Sequence, residues 1–253
     1  MKNLISPCGD WKVYGSAQPK ILIAGHSHTF ALYSAITNQS RFSDSFAVVA
    51  QSDFSTHIQQ SESYWNFVSS ISASQPIAIM WNGNQHNIHF LLESELKCNF
   101  YGLPMEVGMP LVPLKQIQEL FKPTFEELTN VLKKFSKNTE IILLGTPGPK
   151  KSDFLNSLIA NDPYFVKVGS DLGLSPKELK ASKNSLRAYM WNFTQNMTKE
   201  LAEDFGFRFV PTPNKTLDDS LILKSEYYSD DLTHANELFG VEMLETLLNS
   251  VGI

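Results

Sequence analysis

Residues 76–81, Pro-Ile-Ala-Ile-Met-Trp, are apolar without interruption. They stop at Asn82-Gly83-Asn84-Gln85-His86-Asn87, a dense turn signal. A short run with no polar alternation suits a strand buried on both faces, the kind found in parallel sheets covered by helices on each side. Residues 20–24, 46–50, 140–145 and 207–210 read as further strands of the same sheet. Helical signals fall between and beyond them. A helix is predicted over 29–36. Another is predicted over about 57–72, from Ile58, Tyr64, Trp65, Phe67, Val68 and Ile71. A long amphipathic helix over 114–136 has a break near Pro123, where Thr124 and Glu127 make a capping box for its second half. Ser175, Pro176 and Glu178 open a helix expected to reach about Phe205, with Gly206 ending it. The last helix, over about 237–249, carries Leu238, Val241, Leu244, Leu247 and Leu248 on one face. Residues 150–174 read as a mixed excursion and residues 1–19 as an irregular arm. Residues 93–113 fit no period, and an apolar loop that long more often packs over a site than lies idle. Alternating strands and helices predict an α/β fold around a five-stranded parallel sheet.

With 253 residues, 42% of them hydrophobic, the chain can bury the core of one large α/β domain, and no repeat or linker divides it. A single domain over 1–253 is therefore expected. The net charge is −5, and Lys and Arg are scattered apart from Lys133-Lys134 and Lys150-Lys151, so no basic stripe points to a nucleic-acid partner. No stretch approaches the roughly 18 apolar residues that span a bilayer. Residues 1–14 hold two Lys and no long apolar run, unlike a signal peptide. Cys8 and Cys98 form neither a disulfide framework nor a zinc pattern. The expectation is a cytoplasmic protein with no membrane partner.

The first strand ends in Ala24-Gly25-His26-Ser27-His28-Thr29. A strand that turns abruptly into a helix lifts the turn residue to the C-terminal edge of the sheet, where backbone N–H groups and the helix dipole face a ligand. Ser27 is there a candidate nucleophile. Before the last helix stands Asp230-Asp231-Leu232-Thr233-His234-Ala235-Asn236. An Asp three residues before a His can accept its Nδ1–H and leave Nε2 free to take a proton from a hydroxyl. Ser27, His234 and Asp231 supply nucleophile, base and orienter. Asn84 and the Ser27 N–H are the candidate oxyanion donors. His26, Gly83 and His86 are candidates to line the pocket, with His26 read first as structural and His28 as a helix N-terminal residue. Taken singly, each has a plainer role: Ser27 and Asp231 as caps, Asn84 as a turn residue.

Gly-x-Ser after the first strand, Asn after the central strand and Asp-x-x-His before the last helix resemble, in that order, the SGNH (GDSL-type) hydrolases. Their first block is Gly-Asp-Ser, their third Gly-x-Asn-Asp and their last Asp-x-x-His. The resemblance spans residues 20–250. It implies a three-layer α/β/α sandwich with a five-stranded parallel sheet, Ser27 as nucleophile, Asn84 in the oxyanion hole, and Asp231 and His234 completing the triad. It also implies an ester hydrolase or acyltransferase that needs no metal or organic cofactor. The partner would be a small-molecule or glycan acyl ester, O-acetyl esters of carbohydrates among them. Three blocks depart from the pattern. His26 stands where the family has Asp. Asn82-Gly83-Asn84-Gln85 changes the first and last residues of the third block. No Gly lies between Ala50 and His57, so a backbone N–H from Ser52 to Ser55 would replace the Gly of the second block. These departures motivate a second expectation, a non-catalytic relative that binds a glycan or partner in the same cleft. A third expectation is a metal-dependent phosphoesterase, in which His26-x-His28, His86-x-x-His89 and Asp231 gather a metal. Its Gly-His-x-His motif, however, comes in the wrong order along the chain.

Overall fold

A computed structural model describes residues 11–51, 62–72, 75–82, 85–94 and 97–252. Its elements begin with β1 (Trp11–Gly15), β2 (Ile21–Gly25), α1 (Thr29–Asn38), α2 (Ser40–Ser43), β3 (Phe46–Gln51), α3 (Glu62–Ile71), β4 (Ile77–Met80) and α4 (Gln85–Phe90). There follow β5 (Asn99–Phe100), β6 (Leu111–Val112), α5 (Leu114–Leu132), β7 (Ile141–Leu144), α6 (Ser152–Leu158) and α7 (Pro163–Asp171). The chain closes with α8 (Asn184–Asp204), β8 (Arg208–Val210) and α9 (Glu237–Val251).

Among the described residues the central sheet has six strands in the order β1-β3-β2-β4-β7-β8. The five strands from β3 to β8 are parallel, as the apolar runs predict. The sixth, β1, corrects the expected sheet: it pairs antiparallel to β3, Trp11 opposite Gln51 and Gly15 opposite Ala47, inside what reads as an irregular arm. Trp11 is fully buried and meets Tyr64 edge-on at 5.2 Å, which anchors the strand. Five residues between Gly and Pro are too few for their alternation to stand out in the sequence.

Burial on both faces follows from the unbroken apolar runs. Ile21, Ile23, Val48, Met80 and Leu144 pack with residues of α1 and α9 on one side. Their neighbours Leu22, Val49, Ile79 and Leu143 pack with residues of α3 and α5 on the other. This is the expected three-layer α/β/α arrangement. Among the described residues, no helix is long and apolar enough to cross a membrane.

Several element boundaries differ from expectation for local reasons. Helix α5 runs unbroken through Pro123, which lies on its exposed side while Ile117, Phe121 and Leu128 hold both halves against the core. The residue whose carbonyl loses its N–H partner there, Glu119, is exposed. Thr124 is not a cap; its hydroxyl accepts from Gln85 Nε2 at 3.0 Å. Helix α8 starts at Asn184 rather than Ser175. The Ser175–Glu178 contact does form, at 2.6 and 2.8 Å, but closes only a turn. The next backbone is committed elsewhere: Ala181 bridges Leu92, and its N–H donates to Asn156 Oδ1 at 2.7 Å. The excursion over 150–174 folds into α6 and α7, and Asp162 caps α7 through the N–H groups of Tyr164 and Phe165. Residues 85–87 belong to α4, not to a turn. Helix α9 buries Phe239, Gly240, Met243, Leu244 and Leu247, whereas Leu238 is exposed. Residues 57–61 of the helix predicted over 57–72 lie outside the described residues.

Candidate active site

Gly25 ends β2 at φ +154°, and a Cβ there would lie 2.2 Å from the Met80 carbonyl oxygen, so only glycine fits against the end of β4. Its N–H donates to Tyr64 Oη at 3.1 Å, and that hydroxyl donates to the Val49 carbonyl at 3.1 Å. Tyr64 is fully buried, and burial pushes its phenol well above the ordinary range. The chain then turns sharply. The His26 carbonyl accepts from the Thr29 N–H at 2.9 Å and the Thr29 hydroxyl at 2.7 Å, and the Ser27 carbonyl accepts from the Phe30 N–H at 3.0 Å. These bonds start α1 and leave Ser27 partly exposed beyond the C-terminal end of the sheet.

His26 points back into the protein. Its ring is buried 4.4 Å from that of Trp81 and 6.0 Å from that of Trp65. Nδ1 accepts the N–H of Asn82 at 2.9 Å, so the ring carries its proton on Nε2. Burial lowers its pKa to about 4. A neutral imidazole thus ties the Ser27 turn to the chain leaving β4. His86 is buried on α4. Gly83 and Asn84, and the Ser52 to Ser55 backbone, lie outside the described residues.

The second half of the site precedes α9. Asp231 Oδ1 accepts the N–H groups of Thr233 at 2.8 Å and His234 at 2.7 Å, which wraps the Asp-x-x-His turn around the carboxylate. Asp231 Oδ2 lies 2.6 Å from His234 Nδ1, and His234 Nε2 lies 2.7 Å from Ser27 Oγ. The turn is closed by the Ser229 N–H and hydroxyl, both donating to the His234 carbonyl at 3.2 and 2.7 Å. Burial alone would raise the Asp231 carboxyl, but the His234 imidazole, then the His234 and Thr233 N–H groups, outweigh it and hold it well below the carboxylate range. Such a group stays ionised and fixes the His234 proton on Nδ1, so that Nε2 accepts from the Ser27 hydroxyl. His28 is buried with its ring 5.0 Å from that of His234.

Two residues that sequence reasoning missed stand behind this turn. Lys150 is 2% exposed, and its Nζ donates to the carbonyls of Ser229 at 2.8 Å and Asp231 at 2.5 Å. The same ammonium lies 3.6 Å from Asp231 Oδ1, with the rings of Phe154 and Tyr228 over it at 5.1 and 5.2 Å. Burial lowers its pKa to about 8, against the opposing pull of Asp231 and Asp230. Arg187, fully buried on α8, donates to the Lys150 carbonyl at 2.5 Å, and also to Ser182, Ser152 and Asn184. Burial lowers its pKa to about 10. The one available signal was position: Lys150 follows a strand end, where ligands of such sheets gather.

Among the described residues, no three His, Cys, Asp or Glu side chains stand together as a metal-ligand set. Two surface hollows, one along α5 and α8 and one between residues 211–215 and α9, are lined by none of Ser27, Asp231 and His234.

No protein-family model matches the chain, and neither does any curated protein. Solved structures do. One, from Streptococcus pneumonia and named on provisional grounds a platelet activating factor, is 13% identical with a TM-score of 0.52 over 93% of this chain and 85% of that one. A variant of an acetyl-xylooligosaccharide esterase from Geobacillus Stearmophilus is 16% identical, at a TM-score of 0.48 over 94% and 96%. A GDSL-like lipase from Bacteroides thetaiotaomicron VPI-5482 is 11% identical, at 0.46 over 91% and 86%. The first of these likenesses, spanning nearly the whole chain, bears on the fold. The chain shares the α/β fold of that structure, with the antiparallel strand β1 at the edge of its parallel sheet.

Proposed function

We propose that the protein is a serine ester hydrolase or acyltransferase acting on O-acyl esters. One observation carries the reading: an unbroken hydrogen-bonded line from Ser27 Oγ through His234 to Asp231, with links of 2.7 and 2.6 Å. Ser27 attacks the acyl carbonyl while His234 Nε2 takes its proton. Asp231 faces the imidazolium that forms. The Ser27 N–H and the Asn84 side-chain amide hold the oxyanion. His234 then returns the proton to the leaving alcohol. Water, or an acceptor alcohol, releases the acyl group from Ser27 by the same steps in reverse. No step calls on a metal or organic cofactor.

Small acyl esters, those of carbohydrates among them, are the proposed substrate class, in keeping with the order of the sequence blocks. A fluorophosphonate probe and p-nitrophenyl acetate test the reaction. The wild-type chain labels at Ser27 and turns over the ester, and Ser27→Ala loses both, with a fall in kcat of about three orders of magnitude or more. A folded wild-type protein that never labels would turn the assignment toward a binding protein.

A further inference from the structure

We propose that Lys150 is the positioning residue of the triad, clamping the Ser229 and Asp231 carbonyls so that Asp231 presents Oδ2 to His234. The proposal rests on the catalytic reading of Ser27, His234 and Asp231. Two carbonyls of one tight turn point at the same buried ammonium, at 2.8 and 2.5 Å. A buried carbonyl left without a donor is costly, so this contact decides the shape of the turn.

An ion pair alone does not account for the burial of Lys150. Its charged neighbour Asp231 is half-exposed and stands 3.6 Å away, whereas the lysine side chain is 1% exposed. Lysines are almost never fully buried unless paired, and the ordinary solution would leave Nζ in water. Here Arg187 locks the Lys150 backbone from behind, and Phe154 and Tyr228 enclose the ammonium. The Lys151 N–H donates to Tyr228 Oη at 2.8 Å and closes the enclosure from the next residue. The lysine is thus held in place by α8 and α6, and in turn holds the turn that carries Asp231. Its Nζ is turned to the Ser229 and Asp231 carbonyls and the Asp231 carboxylate, so its action on His234 runs through Asp231.

The charge on this group is sensitive to pH. The groups facing it are Asp231 and Asp230 on the turn, the Tyr228 phenol, and Arg187 across the Lys150 carbonyl; Phe154 on α6 is neutral. Lys150 is charged at neutral pH and loses its charge as the pH rises through about 8. Its folded pKa is depressed, so between about 8 and the unfolded value the unfolded chain binds more protons, and this group favours folding more as the pH rises. The neutral amine can still donate to both carbonyls, but bonds from an uncharged donor are weaker, so kcat falls over the range in which the stability contribution of Lys150 rises, a divergence that a purely structural role would not produce.

The test uses the full chain, wild type and Lys150→Met, with p-nitrophenyl acetate from pH 6 to 9.5, melting curves at each pH, and fluorophosphonate labelling. The wild type is expected to label, and its kcat to fall through pH 8 without loss of melting temperature. The variant is expected to lose about 10- to 100-fold in kcat, with KM changed by less than about twofold, and to lack the alkaline fall. A folded variant with wild-type kcat and pH profile would overturn the proposal while leaving the triad standing. A wild type that neither labels nor turns over ester would remove the triad and this proposal together. Where Lys150→Met does not fold, the wild-type profile decides: a fall in kcat at constant melting temperature supports the clamp, and a flat profile overturns it.

Discussion

At the scale of single residues, the site depends on groups held in one protonation state by their surroundings. His26 is the clearest case. Its folded pKa, about 4, lies below the unfolded value of about 6.5, because burial disfavours the charged ring. Between those values the unfolded chain binds more protons, so stability falls as the pH drops from about 6.5 toward 4, by about 3 kcal/mol from this one group. His26→Asn keeps an acceptor for the Asn82 N–H and removes the titration. Denaturant unfolding at pH 7, 5 and 4 should show a flatter acid slope in the variant; equal slopes would mean that His26 is not the group being charged. Asp231 runs the same way, in a lower pH window. Its carboxyl is held low, so its contribution is present above about pH 4, the unfolded value, and erodes only below it as the pH falls through the folded value. Asp231→Asn should therefore lower the melting temperature at pH 7 more than at pH 3. It should also cut kcat by about three to four orders of magnitude through loss of the Nδ1–H tautomer, as at the comparable position of a well-studied serine protease. Ser27, Asp231 and His234 were legible because short spacings carry their geometry. Lys150 was not: residues 150 and 231 meet only once the sheet is formed, and a lysine pair in a sequence reads as solvated surface.

At the scale of elements, α1 and α9 bring the two halves of the site together. Helix α1 begins just after Ser27 and α9 just after His234, so their packing sets the distance between Ser27 and His234. At Gly240 the two helices come close, and a Cβ there would lie 2.0 Å from the Ala31 carbonyl oxygen. That neighbour is backbone and cannot rotate away, so Gly240→Ala must move one helix. A cost of about 1–3 kcal/mol is expected, as for overpacking elsewhere, together with a loss of kcat from a stretched Ser27–His234 contact. Leu238→Ala, at an exposed position of the same helix, should change stability by less than about 0.5 kcal/mol. A melting curve for each and the kcat of Gly240→Ala check the pair; two equal melting shifts would deny Gly240 its role. The helix itself was evident from its apolar spacing. Its buried face was not, because a glycine adds nothing to a hydrophobic stripe yet is what lets backbones touch. Ser175 shows the converse: its capping signal was real and its contact formed, but the hydrogen bonds of residues 180–182 to other segments ended the helix before it began.

At the scale of the whole molecule, Tyr64 couples α3 to three strands behind Ser27. It stands on α3, accepts from Gly25 at the end of β2 and donates to Val49 in β3, while its ring packs against Trp11 of β1. The parallel core of the sheet was readable from its apolar runs. This cross-link was not, since a tyrosine on a buried helix face reads as packing and β1 was not visible as a strand. Tyr64→Phe keeps the ring and removes only the hydroxyl. The Gly25 N–H and the Val49 carbonyl are then left buried without this partner, a loss of about 1–3 kcal/mol. The effect should also reach the site, because Gly25 is two residues from Ser27 and fixes where the turn leaves the sheet. The Asp231–His234 pair, hung from a different segment, should be untouched. The expected outcome is thus divided: slower fluorophosphonate labelling of Ser27, a lower melting temperature, and an unchanged pH profile for the labelling that does occur. A wild-type labelling rate in Tyr64→Phe, at the lower melting temperature, would show that the hydroxyl supports the fold without setting the position of Ser27.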